Sequence, residues 1–193
     1  MNGPADSIRK VTAAERTPRN GHVGRVVWFT GLSGAGKSTI ALALERRLFD
    51  AGQQVYVLDG DIVRTGLCSD LKFSHADRTE NIRRIGEVAR ILADAGLLVI
   101  VAFISPFRAD RDRARSLMAA GRFTEVFINA PLEVCERRDV KGLYARARRN
   151  EIADFTGITS PYEPPLQPEV ELRTDLLSIG EAVERVAAFL GGE

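Results

Sequence analysis

The chain has 193 residues, 45% of them hydrophobic, and its 27 Lys and Arg balance 26 Asp and Glu to a formal net charge of +1. That length suits one well-buried α/β domain rather than two of ordinary size. The near-neutral charge excludes a surface built throughout for nucleic acid and leaves any polyanion to local basic clusters. The two cysteines, Cys68 and Cys135, have no metal-type spacing, and residues 1–20 lack the apolar core of a secretory signal. No run approaches the roughly 18 to 20 apolar residues that cross a bilayer. The expectation is therefore a soluble cytoplasmic protein with reduced thiols and neither a membrane nor a nucleic-acid partner.

Residues 1–24 carry the breaker pairs Gly3-Pro4, Thr17-Pro18 and Asn20-Gly21 with no sustained period, which predicts a loose or strapping N-terminal arm ahead of one domain over 25–193. The apolar run Val26 to Thr30 predicts a first strand. It leads into Gly31-Leu32-Ser33-Gly34-Ala35-Gly36-Lys37-Ser38-Thr39 and then a helix-like Ile40 to Leu48. Glycine, four residues, then Gly-Lys-Ser is the phosphate-binding P-loop pattern, and the strand before and helix after supply its required context. Such a turn points backbone N–H groups at an anion, and the helix adds its positive N-terminal dipole. Lys37 would reach the β- and γ-phosphates of a nucleoside triphosphate, and the Ser38 hydroxyl would ligate magnesium.

Val55 to Leu58 predicts a second strand ending at Asp59-Gly60-Asp61. At the carboxyl edge of an open sheet these acids should share a crevice with the P-loop. After a short helix and loop, Asp77 as N-cap with Glu80 three residues on predicts a long helix, closed at Ala95-Gly96. Leu97 to Ile104 reads as a central strand covered on both faces, with Ser105 at its edge and Pro106 ending the ladder. A helix over 109–120, a strand over 124–128, and a helix over 132–138 with Pro131 at its first position follow. From Arg137 to Arg149 six basic residues (Arg137, Arg138, Lys141, Arg146, Arg148, Arg149) face one acid, Asp139. The proline-rich 160–168 predicts an ordered connection, before a short strand over 170–172 and a helix capped by Ser178 and Glu181. The alternation predicts a five-stranded parallel sheet flanked by helices.

A P-loop alone fits a GTPase, an ATPase motor or a small-molecule kinase. Phe127-Ile128-Asn129-Ala130-Pro131 stands where a guanine-reading Asn-Lys-x-Asp would be expected. The strand ending in Ser105 lacks the terminal acid of a typical ATPase, and the acids sit instead at Asp59 and Asp61. With a basic segment late in the chain, this points to a kinase whose lid, about 137–160, closes over ATP and a small acceptor. Its cations would surround the transferring phosphate and its closure would exclude water; a solvated basic helix is the bland alternative.

Phe73-Ser74-His75-Ala76-Asp77-Arg78-Thr79-Glu80-Asn81-Ile82-Arg83-Arg84, Phe103-Ile104-Ser105-Pro106-Phe107-Arg108-Ala109-Asp110-Arg111, Lys141-Gly142-Leu143-Tyr144 and Asp154-Phe155-Thr156-Gly157-Ile158 come in that order. With the P-loop and Leu58-Asp59-Gly60-Asp61, they resemble the adenylyl-sulfate kinase family over about residues 21–172. The resemblance implies phosphorylation of the ribose 3′-hydroxyl of adenosine 5′-phosphosulfate by ATP, giving 3′-phosphoadenylyl sulfate and ADP in sulfate activation. It implies magnesium, a homodimer, and a separate ATP sulfurylase as source of the acceptor.

The resemblance places Phe73 and Phe155 on opposite faces of the acceptor's adenine, where two rings can clamp a flat base. It makes Arg64, Arg78, Asn81, Ile104 and the lid residue Lys141 further acceptor contacts, with guanidinium forks suited to the phosphosulfate. Asp61 is expected to orient the 3′-hydroxyl and accept its proton, and Asp59 to support magnesium water or the loop. Ser105 is expected to position phosphate or acceptor, with direct in-line transfer rather than a phosphoserine. Two segments depart from the family pattern: Asp61-Ile62-Val63-Arg64-Thr65 replaces an Asn and a His, and Lys72 replaces a Gly. A kinase for another small hydroxyl acceptor, and a catalytically weak nucleotide-binding partner of a sulfate-activating complex, are the competing readings.

Overall fold

Apolar runs that must be covered on both faces set the architecture. The structure, a computed structural model, describes residues 11–192. Its strands are β1 (Arg25–Thr30), β2 (Val55–Asp59), β3 (Leu98–Ala102), β4 (Phe123–Asn129) and β5 (Val170–Arg173). They form one parallel sheet in the order β2-β3-β1-β4-β5. The described helices are α1 (Ala13–Asn20), α2 (Lys37–Asp50), α3 (Gly60–Thr65), α4 (His75–Asp94), α5 (Arg108–Ser116), α6 (Leu132–Arg138), α7 (Leu143–Arg148) and α8 (Ile179–Gly191).

Alternate residues of the strands feed two separate cores. Val27 and Phe29 of β1, with Ile100 and Ile128, pack under Ile40, Leu44 and Leu48 of α2 and Val183 and Val186 of α8. Val26 and Trp28, with Val99 and Val101, pack under Ile82, Ile85 and Ala89 of α4. Burial on both sides is why β1 and β3 are continuous apolar runs rather than alternating ones. From β1 the chain crosses to β2 on one side of the sheet, and after β3 it goes to β4 on the other. The reversal leaves a crevice at the carboxyl ends of β1 and β3, the place where open α/β sheets hold ligands.

Several boundaries differ from expectation. Within the arm, residues 12–20 form a capped helix, in which Thr12 and Glu15 make a capping box and the Asn20 amide donates to the Gly96 carbonyl at 3.1 Å. No side chain of α1 is buried, so no hydrophobic period announced it; the Gly3-Pro4 part of the arm lies outside the described residues. Helix α4 begins one turn early, because Ser74 rather than Asp77 caps it: Ser74 Oγ accepts from the Asp77 amide at 3.1 Å and donates to its carboxylate at 2.8 Å. Helix α5 stops at Ser116 instead of reaching Ala120, and Pro131 is the cap of α6 rather than its first residue. Strand β3 ends at Ala102, so Phe103 and Ile104 leave the ladder. The connection 160–168 is tied down as expected, with the Glu163 amide donating to the Pro106 carbonyl at 2.8 Å.

Candidate active site

The loop after β1 is anchored from behind. Gly31 has φ 151° and Gly34 has φ 73°. A Cβ on Gly31 would stand 2.4 Å from the Ile128 carbonyl oxygen, so the glycine is a steric requirement of the turn. The loop's carbonyls are taken up by neighbours. Tyr144 donates its hydroxyl to Ser33 O at 2.9 Å, Thr174 Oγ1 donates to Ala35 O at 2.7 Å, and Arg138 Nη1 reaches Gly34 O and Ala35 O at 3.3 Å each. With these carbonyls taken up by side chains, the loop has the form in which amides can be offered to an anion. Arg138, Tyr144 and Thr174 were not assigned this work from sequence; each lies more than 100 residues from its partner in the loop, beyond the reach of any local pattern.

Lys37 opens α2 and is buried, its ammonium donating to Gly31 O at 2.9 Å and Leu32 O at 2.7 Å. Burial pushes its pKa down to about 8. Ser38 Oγ donates to Asp59 Oδ2 at 2.6 Å, and the other oxygen of Asp59 accepts the Asp61 amide at 2.9 Å, capping α3. The end of β2 thus touches the P-loop, as its position at the sheet edge implied.

These acceptor candidates come from α3, α4 and the loop between them, from the turn between α6 and α7, and from the segment after α7. Asp61 is exposed and forms an ion pair with Lys141 of the region between α6 and α7. Arg78 is only 9% exposed, with Nε donating to Phe73 O at 2.9 Å and Nη1 to Thr156 Oγ1 at 2.8 Å. Its Nη2 bonds the carbonyl of Asp154. One guanidinium therefore joins the residue Phe73 to the two residues that flank Phe155. Phe155 is buried, with Tyr144 edge-on at 5.0 Å, whereas Phe73 is exposed and carries the Arg64 guanidinium 4.5 Å over its ring. Burial lowers the pKa of both Arg64 and Arg78 from the ordinary arginine value. Asn81 is 3% exposed and its Oδ1 has no partner within the protein, the condition of a group with hydrogen-bonding capacity in reserve.

Ser105 is 2% exposed, and its Oγ accepts from the Trp28 indole at 3.1 Å. Ile104 precedes it, its carbonyl accepting from Thr30 Oγ1 at 2.8 Å. A hydroxyl so enclosed suits positioning better than nucleophilic attack. The basic run does not act as one cationic cluster. Arg146 and Arg149 pair with Glu151, and Arg148 pairs with Glu136. Arg138 and Lys141 are the members that contact the P-loop and α3. Of the departures, Thr65 spends its hydroxyl on Ile62 O at 2.7 Å, and the Ile62 side chain stands 70% exposed beside Asp61.

Residues 23–173 match the family model described as adenylylsulphate kinase. A probable adenylyl-sulfate kinase of Halalkalibacterium halodurans is 56% identical over 180 residues, covering 93% of this chain and 89% of the relative. An adenylyl-sulfate kinase of Shewanella denitrificans is 59% identical over 165 residues, covering 86% and 80% respectively. Among solved structures, the Mycobacterium tuberculosis APS kinase CysC in complex with AMPPNP and APS superposes with a TM-score of 0.84 at 52% identity, covering 88% of this chain and 98% of that one. A hexameric APS kinase from Thiobacillus denitrificans, 36% identical with a TM-score of 0.67, matches 93% of this chain through 31% of its own. A gluconokinase from Sinorhizobium meliloti, 19% identical with a TM-score of 0.60, shares the fold.

Proposed function

The chain belongs to the adenylylsulphate kinase family, and we propose that it transfers the γ-phosphoryl group of ATP to the 3′-hydroxyl of adenosine 5′-phosphosulfate through the residues described above. The observation that carries the acceptor assignment is Arg78: a buried cation that ties the Phe73 carbonyl to the Asp154 carbonyl and the Thr156 hydroxyl, one on each side of Phe155. It brings together the two segments whose rings would hold an adenine, and leaves Arg64 and the spare Asn81 oxygen beside them.

On the donor side the loop 31–39 would cradle the β- and γ-phosphates, with Lys37 turning its ammonium from the Gly31 and Leu32 carbonyls onto them. Ser38 Oγ and the Asp59 carboxylate are hard oxygen donors, which fits magnesium, an ion bound through a few protein oxygens, phosphates and waters. When bound, that ion would neutralise charge developing on the phosphates.

On the acceptor side Asp61 would hold the 3′-hydroxyl and take its proton as the oxygen attacks the γ-phosphorus. The bond from ribose oxygen to phosphorus forms, the bond from phosphorus to the β-phosphate oxygen breaks, and ADP leaves with that electron pair. The Lys141 partner of Asp61 would pass to the phosphosulfate as the lid, about 137–160, closes and water is excluded. Ser105 and Ile104 would border the transfer path. We assign a homodimer in the cytoplasm, supplied with acceptor by a separate ATP sulfurylase; light scattering after size exclusion tests the dimer, and a monomer would overturn it.

The direct test is coupled ADP release with adenylyl sulfate against a panel of other small hydroxyl acceptors. Turnover dependent on adenylyl sulfate and saturable in it is expected. Turnover with a different acceptor alone, as the exposed Ile62 would permit, would replace the acceptor assignment. ATP binding without acceptor-dependent release would overturn the kinase reading.

A further inference from the structure

Ser105, three residues past the end of β3, has φ 39°, in the left-handed region that residues other than glycine occupy only when their surroundings impose it. The imposing contacts converge on its carbonyl. Thr30 Oγ1 reaches that oxygen at 3.3 Å, and Arg111 Nη1 donates to it at 2.7 Å. Arg111 lies on α5 and is 2% exposed. Its two remaining nitrogens go elsewhere, Nε to Glu125 Oε1 on β4 at 2.7 Å and Nη2 to the Glu163 carbonyl at 2.8 Å. A single planar fork thus fixes the exit of β3, the middle of β4 and the connection 160–168 relative to one another.

Glu125 is itself buried and also receives Arg115 at 3.4 Å, while Arg115 pairs with Glu169 at 2.6 Å and Glu169 accepts the Glu125 amide at 2.6 Å. Stability alone gives little reason for such a chain of charges. Replacing a buried ion pair by apolar groups of similar volume is often neutral or better. What the guanidinium supplies is geometry, since its five donors keep fixed directions that an ammonium cannot reproduce.

We infer that Arg111 is a positioning residue for phosphoryl transfer: by holding the Ser105 carbonyl against β4 and the 160–168 connection, it sets where Ser105 and Ile104 present themselves to the acceptor. This rests on the acceptor site proposed above. The donor loop meets this segment at its start, where the Gly31 amide donates to the Ile104 carbonyl at 3.5 Å, but its outer carbonyls have anchors of their own in Arg138, Tyr144 and Thr174.

The test compares Arg111→Lys, Arg111→Met and the double variant Arg111→Met with Glu125→Gln against the parent. The readouts are adenylyl-sulfate-dependent kcat, KM for adenylyl sulfate, AMPPNP affinity by calorimetry, and melting temperature. For Arg111→Lys we expect kcat to fall about 10- to 100-fold, as misplacement of reacting groups does, with AMPPNP affinity within about threefold of the parent. The double variant should regain melting temperature over Arg111→Met without regaining kcat. Parent-like kcat in Arg111→Lys, recovery of kcat together with stability in the double variant, or AMPPNP affinity falling in step with kcat would each overturn the inference. Should Arg111→Lys fail to fold, the double variant decides. A parent without adenylyl-sulfate turnover would remove the functional reading, and with it this role.

Discussion

The donor and acceptor halves of the site are built by opposite means. The proposed donor loop is a contiguous stretch whose backbone would do the binding, with Lys37 buried at its end and its outer carbonyls pinned by Arg138, Tyr144 and Thr174. The acceptor side is assembled from side chains on separate elements, joined by Arg78 and by the exposed Lys141–Asp61 pair. The donor half has a contiguous backbone frame between β1 and α2, steadied from outside by Thr174 and by Arg138 and Tyr144 of the lid segment, while the acceptor half depends wholly on a few polar contacts across segments. Such contacts are easier to open, as a lid requires.

That contrast can be broken most severely at Lys37. Lys37→Met should cut kcat by about 10³-fold, since it removes a preorganised charge from the transferring phosphate. Rapid-quench single turnovers would measure it, and a variant retaining a tenth of parental kcat would refute the donor role. Asp61→Asn comes next. It should lower kcat by about 100-fold with AMPPNP affinity kept, because general-base catalysis typically contributes 10²- to 10⁴-fold. If AMPPNP affinity collapsed as well, the two halves would not be separable there.

Phe73→Ala sharpens the comparison from the acceptor side. Losing one stacking ring should raise KM for adenylyl sulfate by about 10-fold, the equivalent of about 1.4 kcal/mol, and leave KM for ATP in place. An equal rise in both would mean that the exposed ring serves the whole closed state rather than the acceptor.

The smallest effect is a proton. Burial holds Lys37 at about pKa 8 in the folded chain against 10.5 as its ordinary value. The unfolded chain therefore binds more protons between those values, and this group's contribution to stability rises with pH across that window. Phosphate binding should restore the charged form, so at pH 8 AMPPNP should take up about half a proton. Calorimetry in two buffers of different ionisation heat measures this; zero uptake would mean that the lysine is already fully charged.

Legibility followed the same division. The donor half could be read because Gly31 to Thr39 is a local pattern, and the sheet because β1 and β3 are apolar enough to demand cover on both faces. The start of α4 was misplaced because Ser74 and Asp77 are both competent caps, and only packing chooses between them. Helix α1 was missed because it buries nothing. Resemblance singled out Arg78, but not that its guanidinium would spend itself on Phe73, Asp154 and Thr156. Nor does any spacing rule announce that Ser105, Glu125 and Glu163 meet at Arg111, since that meeting is made by the two successive connections from β3 to β4 and from β4 to β5.

The clamp on the phosphate loop also bears on how the protein is made. The loop is synthesised well before its anchors, since two of its carbonyls are held by Arg138, and one of those also by Thr174, which follows β5. A nascent chain carries the whole nucleotide-binding motif long before it carries the residues that shape it. Full anchoring of the loop therefore waits until Thr174, beyond β5, has been made.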